Sequence, residues 1–123
     1  MSSRGAPIDL GPEEFRRLGH RLVDQIAELL HSLPRRPVTA GESADKVRAA
    51  LGRGALPEEG SPPDRILEEA FTLLRDHSLF NGHPRFWGYI TASPAPIGVL
   101  AEMLAAAVNP NVGAWDLSPM ASE

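Results

Sequence analysis

Prolines and glycines divide this chain into short segments and constrain its fold more than any other feature. The 123 residues include 12 prolines and 11 glycines, which concentrate between the apolar stretches. Proline cannot continue a helix or a central strand, and glycine favours turns. The sequence therefore predicts short helices joined by extended or turning connections, and no strand pattern is long enough to build a sheet.

Four stretches show the apolar spacing of an amphipathic helix. They cover residues 12–33, 44–51, 62–78 and 96–108. Ser43 is placed to cap the second helix and Gly52 to close it. Between the third and fourth helices, residues 79–96 are predicted to be irregular or strand-like.

These helices predict a mainly α fold, with three to four amphipathic helices and long Pro/Gly-rich connections. Closed bundles usually join their helices by loops of roughly 2 to 8 residues. The connection at residues 53–63 is longer and holds three prolines and two glycines. We therefore expect the apolar stripes to need a covering surface that this chain lacks, as in an arm or a fragment.

Composition excludes several functions. The net charge of -4 gives no general attraction for nucleic acid, and the absence of cysteine removes disulfides, thiolate metal sites and cysteine nucleophiles. No signal peptide is visible, and the longest apolar run is shorter than the ~20 residues that span a bilayer. We expect a cytoplasmic protein that binds neither nucleic acid nor a membrane.

The least ordinary stretch is residues 83–91, His-Pro-Arg-Phe-Trp-Gly-Tyr-Ile-Thr. Three aromatic side chains in a predicted loop are suited to form a wall for a ligand. The alternative, and the commoner arrangement, is that the rings fill the core beneath the loop. An extended backbone would place Tyr89 and Thr91 on one face. His83 is predicted to cap or orient this loop rather than to act in catalysis.

Two motifs in the second half of the chain carry a resemblance. The first is His-Pro-Arg-Phe-Trp-Gly-Tyr at residues 83–89, and the second is Asn-Pro-Asn-Val-Gly-Ala-Trp at residues 109–115. Both resemble the group II pyridoxal-phosphate-dependent amino-acid decarboxylases, which include the aromatic-L-amino-acid, tyrosine, histidine and glutamate decarboxylases. The resemblance covers residues 15–123 and is strongest over residues 83–119.

This resemblance implies a fold-type I lyase that is an obligate homodimer and uses pyridoxal 5'-phosphate. It implies a flexible N-terminus at residues 1–11, a helical arm on the partner subunit at residues 12–78, and the start of the decarboxylase domain at residues 79–123. By position it implies these substrate-binding residues: Tyr89, Ile90, Thr91, Asn111, Val112 and Gly113. Asn111 and Gly113 stand where the aromatic decarboxylases carry larger apolar residues, which leaves the identity of the amino acid open.

The groups that would carry out the reaction are missing from the sequence. Pyridoxal phosphate needs a lysine for its Schiff base, and in the family that lysine lies far downstream. Lys46, the single lysine, falls in a short predicted helix and is expected to be solvated. His20, His31 and His77 lack the spacing of a metal site. We therefore predict no catalytic, cofactor-binding or metal site within this chain.

Two hypotheses follow for its function. In the first, the chain is the N-terminal fragment of a decarboxylase, supplies dimer-interface helices and part of the substrate pocket, and is inactive alone. In the second, it is a small all-α interaction module without enzymatic activity. Residues 118–123 predict the cap and first turn of a further helix, which favours the fragment.

Overall fold

Helices make up most of the chain. The computed structural model describes residues 9–52 and 54–123, so residues 1–8 of the predicted flexible N-terminus lie outside the described residues. The α-helices are α1 Pro12–Ser32, α2 Ala44–Leu51, α3 Pro63–His77, α4 Pro96–Val108 and α5 Pro119–Ser122. Within the described ranges there is no strand, and the predicted mainly α fold is confirmed.

The helix ends follow the capping residues predicted from the sequence. Proline opens α1, α3 and α4, where its missing amide hydrogen has no helical partner to lose. At α2, Oγ of Ser43 accepts the N–H of Lys46 at 3.3 Å, and Gly52 ends the helix with a φ of 77°. At the end of α4, Asn109 takes the left-handed conformation with a φ of 46°, which asparagine tolerates better than most residues.

The chain divides into two compact units, Met1–Trp87 and Gly88–Glu123. In the first unit, α1 and α3 pack around Leu18, whose exposed fraction is 3%. Leu22 and Leu67 line the same crevice between the two helices. Burying a leucine side chain stabilises a fold by about 1.5–3 kcal/mol, so this small apolar contact is the main one that joins the helices.

Charged groups add a second link between α1 and α3. The carboxylate of Glu68 accepts hydrogen bonds from the guanidinium of Arg21 and, at 2.9 Å, from Nε2 of Gln25. Both members of the Arg21–Glu68 ion pair are more than two-fifths exposed. An ion pair this exposed contributes only about 0–1 kcal/mol, so it orients the two helices more than it stabilises them.

A third contact joins the segments that follow α1 and α3. Leu33, in the 3-10 turn Leu33–Arg35, is buried. The N–H of Phe80 donates to the carbonyl of Val38 at 2.9 Å. Nε of Arg36 donates to Oγ of Ser32 at 2.8 Å. The bond from Phe80 to Val38 holds the connection after α1 against the connection after α3, and the bond from Arg36 to Ser32 fixes the connection after α1 to the end of that helix.

The short helix α2 is attached to α3 through Glu42, which precedes it. The Glu42 carboxylate accepts a hydrogen bond from Nδ1 of His77 and pairs with Nζ of Lys46 at 3.2 Å. The hydrogen bond from His77, followed by that from Lys46, holds the pKa of Glu42 below its ordinary value. Val47 and Leu74 line an open apolar groove beside this contact.

The second unit, Gly88–Glu123, buries very little. None of its side chains is classed as buried, and α4 contains a single charged residue, Glu102. Ile97, Leu104 and Val108 of α4 are exposed. A helix that is apolar on most faces is normally buried in a larger protein, so α4 lacks the surface that would cover it.

Across residues 9–52 and 54–123, Leu18 and Leu33 are the only buried apolar side chains. Nineteen large apolar side chains are exposed in the same part of the chain. None of the described helices is both long enough and apolar enough to cross a membrane. The exposed apolar area is therefore the dominant physical property of this chain taken alone.

We expect the isolated chain to self-associate, because exposed apolar patches of this size drive association. Leu104→Lys on α4 should weaken that association at least about tenfold, since it removes a leucine contact and places a charge there. Sedimentation velocity over a range of concentrations measures the effect. Leu56→Lys is the matched control, because Leu56 is 93% exposed in a connection outside any helix.

A sharp thermal transition of a monomer at all concentrations would contradict this expectation. So would equal effects of the two leucine substitutions.

The Glu42 contact predicts a stability that depends on pH. Because the pKa of Glu42 is lowered in the folded chain, its contribution is fully present above the ordinary value of 4.5 and is lost as the pH falls through the lowered value. Glu42→Gln should loosen α2 at neutral pH and flatten the acid dependence of its helicity. Amide hydrogen exchange of α2 measures this effect.

Glu58→Gln, in the connection before α3, is the control and should leave exchange of α2 unchanged. If Glu42→Gln exchanged like the wild type at every pH, the contact would have no influence on the docking of α2.

Candidate functional site

The first predicted site motif begins with a tightly held turn. His83 is 2% exposed, and its Nε2 lies 2.9 Å from the carbonyl oxygen of Arg36. Its Nδ1 accepts the backbone N–H of Arg85 at 3.0 Å. Two further bonds close the turn, from the N–H of His83 to the carbonyl of Phe80 at 3.0 Å and from the N–H of Phe86 to the carbonyl of His83 at 2.9 Å. The predicted loop-orienting role of His83 agrees with these contacts.

The aromatic residues that follow are exposed rather than buried. Tyr89 is 91% exposed, and Trp87 and Ile90 are at least as accessible. The alternative that Trp87 and Tyr89 fill a core beneath the loop is therefore wrong for this chain. Only Phe86 is partly covered. An exposed tyrosine presents an apolar ring with a polar tip, which suits contact with a ligand or another surface.

The backbone at Tyr89 differs from the extended form considered from the sequence. Tyr89 has a φ of 56°, in the left-handed region, and the chain bends at residues 89–90. Alternate side chains share a face only in an extended chain, so the shared face expected for Tyr89 and Thr91 is not formed. The strand-like alternative for residues 79–96 is wrong up to the start of α4, and the irregular alternative is confirmed.

The second predicted site motif contains a local turn. Oδ1 of Asn111 accepts the N–H of Gly113 at 2.9 Å, an arrangement typical of asparagine in turns. A Cβ atom at Gly113 would lie 3.0 Å from that oxygen, which explains why a residue without a side chain fits here. Val112, between them, is exposed. Asn111 therefore shapes this loop as well as being a candidate for binding.

The predicted substrate-binding residues form two groups within residues 88–123. No hydrogen bond joins residues 89–91 to residues 111–113 in this described range. All six of these residues are exposed. A closed pocket around them would need additional protein surface.

Lys46 does not fit a site for pyridoxal phosphate. Its side chain is 72% exposed and pairs with Oε1 of Glu42 at 3.2 Å. A lysine that forms a Schiff base is normally activated by desolvation or by a neighbouring cation, whereas Lys46 is solvated and faces a carboxylate. The sole lysine of the chain therefore provides no attachment point for this cofactor, and we assign no cofactor chemistry to the described residues.

The structure contains a charged cleft that was not predicted from the sequence. A space of ≈ 360 Å³ lies between α1 and α3, lined by acidic, basic and aromatic side chains: Asp24, Gln25, Glu28, Leu29, Arg36, Phe71 and Arg75. The guanidinium of Arg75 lies 5.6 Å from the ring centre of Phe71 and donates twice to Asp76 at 2.7 Å. Arg75 thereby lowers the pKa of Asp76. Helical spacing within α1 could have indicated one wall, but no sequence signal indicates which helix supplies the other.

Comparisons with known proteins place this geometry in context. No family model matches the chain. It is 32% identical over 114 residues to phenylacetaldehyde synthase from Petunia hybrida, a match that covers 93% of this chain and 22% of that protein. It is 30% identical over 108 residues to aromatic-L-amino-acid decarboxylase from Bacillus atrophaeus, covering 88% of this chain and 22% of that protein. Tyrosine decarboxylase 3 from Petroselinum crispum is 32% identical over 124 residues, with coverages of 100% and 24%.

The chain thus spans less than a quarter of the length of these curated relatives. Nearly all of its own residues fall within the matched region, including both site motifs. The resemblance that those motifs indicated is confirmed. Over nearly its whole length this chain is similar to aromatic-L-amino-acid and tyrosine decarboxylases, which are group II pyridoxal-phosphate-dependent enzymes, and it matches less than a quarter of their length.

Proposed function

We propose that this chain is the N-terminal part of an amino-acid decarboxylase, a carboxy-lyase that uses pyridoxal phosphate, and that it is inactive alone. The observation that carries the proposal is the identity to two proteins named as decarboxylases, 30% over 88% of the chain and 32% over 100% of it. Residues 12–78 then form a helical arm, and residues 79–123 begin the decarboxylase domain. The names of two relatives favour an aromatic amino acid as the substrate.

The exposed apolar surface supports a role for the helices at an interface. In α4, large apolar side chains are exposed on several faces: Ile97, Leu100, Met103, Leu104 and Val108. Obligate homodimer interfaces are rich in apolar residues and resemble a core cut in half. We propose that α4 and the arm are covered by the remainder of the enzyme and by the partner subunit of a homodimer.

The two site motifs are proposed to contribute to the wall of the substrate pocket. The exposed side chains of Tyr89, Ile90 and Thr91 provide a ring, an aliphatic group and a hydroxyl. Val112 and the turn from Asn111 to Gly113 provide a second exposed group. Such a wall would orient the amino acid and exclude water from it. Holding a substrate in its reactive orientation lowers the activation barrier.

The cofactor itself would be attached outside this chain. Pyridoxal phosphate acts as an electron sink when it is bound through a lysine, and Lys46 does not fit that role for the reasons given above. The proposed contribution of the chain is therefore to bind and orient the substrate and to hold the subunits together.

Activity of the whole encoded protein tests this proposal directly. The longest open reading frame that contains this sequence should release carbon dioxide from tyrosine or a related aromatic amino acid when supplied with pyridoxal phosphate. The chain alone should release none. A stop codon directly after Glu123 and an inactive product would instead favour the small all-α interaction module.

Lys46 provides a test of the cofactor assignment. The purified chain with excess pyridoxal phosphate should show only the weak absorbance of a surface amine, because Lys46 is solvated and paired with Glu42. Lys46→Ala should remove the part of that signal that comes from the lysine side chain and leave the part from the terminal amine, without changing helicity as judged by circular dichroism. A saturable, stable internal-aldimine band that Lys46→Ala abolishes would contradict the assignment of the cofactor to residues outside this chain.

Tyr89 provides a test of the pocket assignment in the whole enzyme. Tyr89→Ala should lower kcat/KM by about tenfold or more, because a misplaced substrate loses its alignment with the reacting centre. The thermal stability of the enzyme should change little, within about 0.5 kcal/mol, as for other exposed positions. Tyr89→Phe is the matched variant that keeps the ring and removes the hydroxyl.

Unchanged kinetics in Tyr89→Ala would remove Tyr89 from the pocket. A loss of several kcal/mol of stability with normal kinetics would instead assign the ring to a packed interface in the assembled enzyme.

A further inference from the structure

His83 is the most deeply buried polar side chain among the described residues, and the functional proposals above do not use it. It is 2% exposed, although it lies in an irregular stretch whose neighbours Pro84 and Arg85 are exposed. A buried polar group is costly unless its hydrogen bonds are made. Both ring nitrogens have partners here, on two segments of the chain that are far apart in sequence.

The partners define which nitrogen carries the proton. The backbone N–H of Arg85 is a donor, so the Nδ1 that faces it must be an acceptor. The carbonyl of Arg36 is an acceptor, so the Nε2 that faces it must be the donor. A neutral ring with hydrogen on Nε2 satisfies both partners at once. The ring is therefore held in one tautomer and one orientation.

The two bonds join the connection after α1 to the turn before residues 86–91. The carbonyl of Arg36 also accepts a hydrogen bond from Nη2 of Arg85 at 3.5 Å. The neighbouring bond from Phe80 to Val38 fixes the same two segments. Of these links, the one from His83 comes from a buried side chain, and its length is 2.9 Å. The course of the chain at the start of the first site motif thus depends on an imidazole that is bonded to the connection following α1.

We propose that His83 is a positioning residue: it fixes the turn at residues 83–86 to the Arg36 carbonyl, and this turn directly precedes the stretch that carries Tyr89, Ile90 and Thr91. The kinetic consequence rests on the proposed function, because it requires that stretch to face the substrate. The structural consequence does not. A loop that is free to move at its root would hold the substrate in many orientations, and the alignment needed for reaction would be lost.

Limited proteolysis of this chain tests the anchor without any assay of activity. Trypsin cleaves after Arg85, and the rate of cleavage of a transiently opened segment follows the population of the open form. His83→Ala removes both side-chain bonds and should speed cleavage after Arg85 about tenfold. Cleavage after Arg48, in α2, is the internal reference. His20→Ala, at an exposed position of α1, is the matched control and should change neither rate.

Two amide variants separate the two bonds. A glutamine places its amide nitrogen near the position of Nε2, so His83→Gln should keep the bond to Arg36 and restore slow cleavage. An asparagine places its oxygen near the position of Nδ1, so His83→Asn should keep only the local turn and be cleaved nearly as fast as His83→Ala. Long-range nitrogen–proton NMR correlations at neutral pH should also show the wild-type ring with hydrogen on Nε2.

Kinetics of the whole decarboxylase carry the test to the substrate. His83→Ala should lower kcat/KM about tenfold, and His83→Gln should recover most of it. Unchanged cleavage after Arg85 in His83→Ala, or a ring with hydrogen on Nδ1, would overturn the anchor. Faster cleavage with unchanged kinetics would overturn its effect on the substrate. If the whole wild-type protein releases no carbon dioxide, the proposed function fails, while proteolysis and the tautomer still decide whether His83 anchors the turn.

Discussion

The packing of α1 against α3 around Leu18 is the contact on which the rest of the first unit depends. This contact sets α1 and α3 side by side, and that places the segments following each helix close enough for the backbone bond between Phe80 and Val38. It also positions the carbonyl of Arg36 opposite His83. The positions of these backbone and side-chain groups thus depend on an apolar contact centred on one buried leucine. The hydrogen bonds and ion pairs around this contact orient the helices and their connections. They add little to the free energy of folding, since most involve exposed groups.

Local structure was largely predictable from the sequence, because its causes are local. A proline at a first helical turn, a serine cap at Ser43 and a glycine at Gly52 each act within a few residues, and the helices begin and end close to where these residues indicate. The relationship to decarboxylases was also readable, because both motifs are continuous in sequence.

The geometry of the site was less predictable. The left-handed backbone at Tyr89 cannot be anticipated, because a tyrosine rarely adopts that conformation and no glycine signals it there. The partner of His83 is a backbone carbonyl 47 residues away, and every residue has such a carbonyl. Side-chain pattern alone therefore indicated that His83 orients the loop but gave no indication of what holds it. The exposure of Trp87 and Tyr89 depends on the absence of covering surface, which is a property of the whole fold.

The apolar character of α4 has a consequence for how such a protein is made. This chain matches 22–24% of the length of its relatives. In the proposed enzyme, about three-quarters of the protein would therefore still have to be synthesised after α4. At about 5–20 residues per second, the remainder takes roughly tens of seconds to follow. During that interval a helix with one charged residue, Glu102, would be in contact with solvent and not with its final neighbours. Until later segments cover it, the exposed apolar surface of α4 in such an enzyme would favour association with other chains.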